Sequence, residues 1–131
     1  MMFRVTILMI GAALVSGAAY AHHSFAGSYQ EGKVMKIEGD VVEFNIRNPH
    51  SFISIDVREE DGKSVRWGGE WGGVTQLSQG GVTRFTLEVG DHLIIEGAPP
   101  RDSMDKKMLV RRVWRPATDK KPAWEWTGNV R

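Results

Sequence analysis

Val34-Met35-Lys36-Ile37-Glu38-Gly39-Asp40-Val41-Val42-Glu43-Phe44-Asn45-Ile46 is the stretch that decides the fold. Met35, Ile37 and Val41 share one alternation parity, whereas Val42, Phe44 and Ile46 share the other. A strand sends successive side chains to opposite faces, so a parity change turns the apolar set over unless an extra residue is inserted or the backbone bends. Gly39 lies inside the run, and an interior glycine marks such a place. The run is therefore read as one long strand with a β-bulge or sharp bend.

Working outward, Asn48-Pro49 ends that strand, because proline cannot donate to a ladder and restrains the residue before it. Ile53, Ile55 and Val57 alternate with Ser54 and Asp56, the pattern of a half-buried strand. Asp61-Gly62 is a turn signal, after which Val65 and Trp67 alternate with Ser64 and Arg66. Trp71-Gly72-Gly73 breaks the alternation. Residues 75–79 fit one or two helical turns, with Thr75 or a neighbour as N-cap and Gly80-Gly81 as terminator. Gly90-Asp91 turns into a fourth strand at Leu93-Ile94-Ile95, Pro99-Pro100-Arg101-Asp102 forms a stiff loop, and 108–114 is a fifth strand.

Five strands, a bent first strand and a short helix between strands three and four match an all-β, five-stranded OB-fold-like barrel. Another small all-β sandwich or roll is the alternative. The barrel is assigned to 33–115 and an extended N-terminal arm, pinned by Phe25 and Tyr29, to 22–32. Residues 116–131, with Pro116, Pro122, a Lys pair, Trp124 and Trp126, are read as a loosely held C-terminal tail.

Residues 1–21 read as a secretory signal peptide. Arg4 supplies the positive start, 5–15 the apolar run, and Ala19-Tyr20-Ala21 the small-residue cleavage pattern. The apolar run is too short to span a bilayer, and no second one follows. Cleavage leaves no stable membrane anchor and a periplasmic or secreted chain. Of the 17 Lys+Arg only Arg4 lies in 1–21, which leaves sixteen against the 16 Asp+Glu. That balance argues against nucleic acid as a partner. The chain has no cysteine, which excludes disulfides, thiolate catalysis and a lipid-anchored N-terminal Cys.

His22-His23-Ser24-Phe25, Asn48-Pro49-His50-Ser51, Trp67 with Glu70, Leu77, Gly80-Gly81, Gly90-Asp91 and Gly97-x-Pro99 together resemble a family of small exported bacterial proteins of unknown function. The resemblance covers about residues 21–115, and its most specific pieces are the His-His-Ser-Phe start and the Asn-Pro-His motif. It implies an exported OB-like barrel and no established activity. The chain departs from the family pattern at Gly81-Val82, where an aromatic is expected, and at Asp102-Ser103, which stands in place of Asp-Gly.

Four histidines are the candidate metal ligands: His22, His23, His50 and His92. Cleavage after Ala21 would give His22 a free amine beside its imidazole Nδ1, and the two can chelate one ion. The amine has an ordinary pKa of about 7.7–8.0, so a metal displaces its proton near neutral pH. A second imidazole, from His50 or His92, would complete a three-nitrogen set of the kind that favours Cu(II). This element resembles the histidine brace of copper oxygenases and copper-carrying periplasmic proteins, which have other folds. His23 is less suited to close the same ring. Cleavage one residue earlier would give Ala21-His22-His23, an amino-terminal copper or nickel chelate that needs no barrel. Each histidine also has a plainer role open to it, as a solvated arm residue or a turn residue bonded to backbone.

Glu70 lies between Trp67 and Trp71, where a carboxylate either has a raised pKa or accepts a turn N–H. Asp91 fits a turn cap and Asp102 a solvated loop. Trp67, Trp71 and Phe52 form a candidate stacking platform with Arg47 and Arg66 nearby, unless Trp67 fills the core. Trp124 and Trp126 mark a partner surface or fold back over the barrel mouth. No nucleophile elbow, HExxH, P-loop or dinucleotide fingerprint is present, so no catalytic residue is assigned. The expectation is an exported non-enzymatic binding module that takes copper or a small ligand. The alternatives are an interaction protein docking onto an exported enzyme or envelope complex, and, ranked last, a copper-dependent oxidative enzyme.

Overall fold

A computed structural model describes residues 25–130. The signal-peptide reading, His22 and His23 lie outside the described residues. Six strands and one helix follow in the order β1 (Met35–Asn45), β2 (Ser51–Arg58), β3 (Ser64–Trp71), α1 (Val74–Gln79), β4 (His92–Ala98), β5 (Lys107–Arg115) and β6 (Trp124–Thr127). The sheet runs β3-β2-β1-β4-β5-β6, and β3 also pairs with β5 in parallel, Gly68 to Lys107 and Glu70 to Leu109. That pairing closes β1 to β5 into a barrel, with β6 added outside the ring and α1 between β3 and β4.

The first strand serves both neighbours. Residues 35–40 pair with β4 and residues 40–45 with β2. The ladder slips between Val41 and Glu43, so Val42 is the bulged residue. The slip reconciles the two parities: Ile37 and Val41 are buried on the barrel side, and Phe44 and Ile46 pack against the same core from the other phase. Gly39 is not the bulge. Its role is close approach, since a Cβ there would overlap the Asp56 carbonyl where β2 crosses.

The core is filled by inward-facing residues of every strand, among them Ile53, Ile55, Leu93, Ile95, Val110 and Val113, together with Trp71 and Leu77. Burying each such side chain contributes about 1.5–3 kcal/mol. A second, smaller cluster lies outside the closure seam and joins Phe25 and Tyr29 to Ala98 and Leu109. Within the described part of the arm, 25–28 are helical, not the extended chain expected. It is then tied to the 99–101 loop: Gln30 N–H donates to the Pro99 carbonyl at 2.9 Å, and Arg101 N–H donates to Ser28 at 2.9 Å.

Residues 116–130 differ from the loose tail expected of 116–131. β6 pairs antiparallel with β5, placing Trp126 opposite Val113. Trp126 is 6% exposed and meets the Trp71 ring edge-on at 5.0 Å. The intervening loop is held by Lys121, whose Nζ lies 2.6 Å from both Glu88 and Asp91. Asp91 also pairs with Arg115 at 3.2 Å and accepts the Glu88 N–H at 2.9 Å, the turn role expected of it and more. Among the described residues no helix is long and apolar enough to cross a membrane.

Candidate functional site

The Asn-Pro-His segment is built into the barrel by its own side chains. Asn48 Oδ1 accepts the Val74 N–H at 3.0 Å, so it satisfies a helix-start donor that Gly73, the N-cap residue, cannot reach with a side chain. Gly73 is needed there, because a Cβ would come within 2.7 Å of the Pro49 carbonyl oxygen. The Asn48–Pro49 peptide bond is cis. Ser51 is fully buried; its Oγ accepts the Arg47 N–H at 3.1 Å and its own N–H donates to the Gly72 carbonyl at 3.0 Å. These bonds leave His50 as the residue the turn presents.

His50 meets groups from β3 and from the arm. Its Nδ1 lies 3.0 Å from Glu70 Oε1, and its ring centroid lies 4.7 Å from that of Phe25. Glu70 Oε2 in turn accepts the Tyr29 hydroxyl at 2.6 Å. Burial and the Glu70 carboxylate push the Tyr29 phenol far above its ordinary range, so the hydroxyl stays a donor. Lys107 Nζ sits over the Tyr29 ring at 5.7 Å. Glu70 therefore receives a phenol O–H on one oxygen and has His50 Nδ1 beside the other. In the neutral ring a carboxylate beside Nδ1 favours the tautomer with its proton there, which leaves the lone pair on Nε2. No hydrogen bond among the described residues engages Nε2, and about one fifth of the side chain is exposed.

His92 is arranged differently. Its Nδ1 lies 2.8 Å from Asp40 and its Nε2 lies 2.7 Å from Glu38, two residues apart on the outward face of β1. Hydrogen bonds to Glu38 and then Asp40 raise its pKa, and both contacts together need the doubly protonated ring. While both stand, His92 has no lone pair for a metal. The two carboxylates bind opposite ring nitrogens, so they do not converge on a common point. His50 and His92 share no partner. Among the described residues, no group of three or more His, Asp or Glu side chains is placed to hold a metal ion.

The aromatic platform does not form. Phe52 pairs with Glu70 and alternates out of phase with the buried Ile53, whereas Trp71 faces Ser51 and Trp67 faces Ile55 on the core side. Trp71 is wholly buried; Trp67 is half-buried against the core with Lys106 Nζ over its ring at 5.2 Å. Arg66 is paired with Asp56 at 2.8 Å, and Arg47 lies over Phe52 at 4.7 Å. Asp102 accepts the Met104 N–H at 2.9 Å in an exposed loop, as expected. Tyr29 is the member of the site that sequence reasoning assigned only to pinning the arm. It lies 41 residues from Glu70, with no spacing to signal the bond.

Residues 11–111 match DUF6152, described as a family of unknown function. No curated protein matches the chain.

Proposed function

The chain belongs to the family DUF6152, and from that premise we propose that it is an exported, non-enzymatic binding module whose site takes copper through His22 and His50. The observation that carries this reading is the Phe25 ring, its centroid 4.7 Å from that of an imidazole whose Nδ1 lies 3.0 Å from Glu70. Three residues of extended chain span at most about 10 Å. Phe25 is three residues from His22, a tether long enough for the N-terminal residue of a chain cut after Ala21 to reach His50. The donor set is then the His22 amine, the His22 Nδ1 and the His50 Nε2, three nitrogens suited to a tetragonal Cu(II) site. Glu70 behind His50 is the carboxylate–histidine pairing that orients and strengthens metal-bound imidazoles. His92 takes no part, because carboxylates engage both of its nitrogens.

Export rests on Arg4, the apolar run 5–15 and Ala19-Tyr20-Ala21, and places the chain in the periplasm or the medium. The test is a Cu(II) titration of the processed chain against its His22→Ala and His50→Ala variants. Loss of affinity in both supports the two-histidine site. Loss in His22→Ala with full affinity in His50→Ala leaves a terminal site that does not use the barrel and overturns the reading. Unchanged affinity in both, with loss in His23→Ala, identifies the barrel-independent Ala21-His22-His23 chelate and overturns it too. Peroxide formed by the copper-loaded chain with a reductant, above that of free copper, would overturn the non-enzymatic assignment.

A further inference from the structure

The Tyr29 side chain is 1% exposed and packs with Phe25, Ala98 and Leu109. Its backbone is held on two sides. The Tyr29 N–H donates to the Phe25 carbonyl at 2.7 Å, and Tyr29 bridges to Pro100. A phenylalanine would fill the same space, so packing accounts for the ring and leaves the hydroxyl unexplained. A buried hydroxyl costs free energy unless it is bonded. This one donates to Glu70 Oε2 at 2.6 Å.

Glu70 is the movable member of the pair. Its backbone is fixed in β3, opposite Phe52 on one side and Leu109 on the other. Its side chain has three torsions, the last of them broad. Among the described residues the carboxylate has two polar neighbours, the Tyr29 hydroxyl and His50 Nδ1. Lys107, the cation over the tyrosine ring, is paired with Asp105 at 3.3 Å instead. A hydrogen bond from a hydroxyl to a carboxylate is among the short, strong kinds. With one oxygen held by a rigid phenol, the other stays beside His50.

We infer that Tyr29 is a positioning residue of the copper site: its hydroxyl holds the Glu70 carboxylate beside His50 Nδ1, and so orients the ring that offers Nε2 to the metal. The inference rests on the two-histidine reading above and concerns its barrel half. Tyr29 acts through Glu70 alone, so its effect disappears when Glu70 is absent.

The test compares Tyr29→Phe, Glu70→Ala and the double variant in the full processed chain. The ring nitrogens of His50 are followed by NMR without metal, and Cu(II) affinity is then measured by titration. Tyr29→Phe should move the neutral His50 ring from the Nδ1–H form toward a tautomer mixture. It should weaken Cu(II) binding about tenfold, the lower end of the range for losing a partner behind a metal-bound histidine. In the Glu70→Ala background the same change should do nothing further to either readout, the non-additivity of residues in one network. A tyrosine that only packs would leave the His50 nitrogens where they were, and that result overturns the inference. A copper loss of the same size in the Glu70→Ala background overturns it as well. Wild-type copper affinity in Tyr29→Phe, with loss in His50→Ala, overturns it and leaves the copper reading standing; full affinity in His50→Ala overturns both. Fluorine NMR gives a second measurement that keeps the hydroxyl. Tyr20 lies in 1–21, so Tyr29 is the one tyrosine of the processed chain and 3-fluorotyrosine labels it alone. Its signal should shift in Glu70→Ala, and an unmoved signal there overturns the inference.

Discussion

Glu70 has His50 Nδ1 3.0 Å from one carboxylate oxygen while the Tyr29 hydroxyl donates to the other at 2.6 Å. The contact brings the end of β3 to the β1–β2 turn, and the Tyr29 anchor brings the arm to the same carboxylate. Three chain segments far apart in sequence thus meet at one carboxylate.

Glu70→Ala removes the carboxylate beside His50 Nδ1. Nitrogen NMR of His50 should show the neutral ring passing from the Nδ1–H form to a tautomer mixture. Copper affinity should fall about 10–100-fold, the range for loss of a carboxylate behind a metal-bound histidine. Glu70→Gln retains an oxygen acceptor and should fall between. A tautomer unchanged in Glu70→Ala would show that the carboxylate does not set it.

Trp126→Ala should destabilise the chain by about 3–5 kcal/mol, the cost of deleting a buried aromatic side chain. Urea unfolding measures it. Truncation after Arg115 should cost more, because it also removes the β5–β6 ladder and Lys121. Native stability in the truncated chain would return 116–131 to the status of a loose tail.

Asp91 and Arg115 are a buried pair, with side chains 8% and 10% exposed. Asp91→Ala leaves the Arg115 cation with the Thr86 carbonyl at 3.0 Å and no carboxylate. The expected cost is about 3 kcal/mol. Burial raises the Asp91 carboxyl, but the Lys121 and Glu88 N–H bonds and the Lys121 and Arg115 charges outweigh it and hold the pKa below its ordinary 3.8. A lowered carboxylate pKa stabilises the fold above the unfolded value and is lost as pH falls through the folded one. Wild type should therefore lose stability below about pH 4, and Asp91→Ala should lose less of it there. Parallel acid melts of the two proteins decide the matter.

His92 has the opposite sign. Its pKa is raised above the ordinary 6.5 by Glu38 and Asp40, so its stabilisation is complete below that value and disappears as pH rises through the folded pKa. The ring is 46% exposed, so solvent screening keeps the effect small. Thermal midpoints between pH 5 and pH 9 should decline in wild type by an increment that His92→Gln lacks. Identical slopes would contradict the triad.

The bent first strand was legible because alternation parity is a local property of 34–46. The position of the bulge was not: Val42 carries it, and Gly39 is required by the approach of β2, which is visible only once the strands are paired. The short helix was legible from the flanking glycines, while its remote cap, Asn48, comes from another loop. β6 escaped because a strand of four residues between Pro122 and Gly128 has almost no period of its own; Trp126 is recognisable as core only beside Trp71. His50 and Glu70 could each be named as chemically capable, but their contact with each other and the Tyr29–Glu70 bond are products of barrel closure. The engagement of His92 follows from the register Asp40 to His92, a cross-strand relation that no linear spacing carries.

Paired Cu(II) titrations of two chains that differ only at the N-terminus test the central claim most directly. Both begin at His22, and in one of them the His22 amine is acetylated. The account predicts that acetylation, by converting the His22 amine to an amide, weakens copper binding by about a hundredfold or more, near 3 kcal/mol. Equal affinity in the two chains would contradict it.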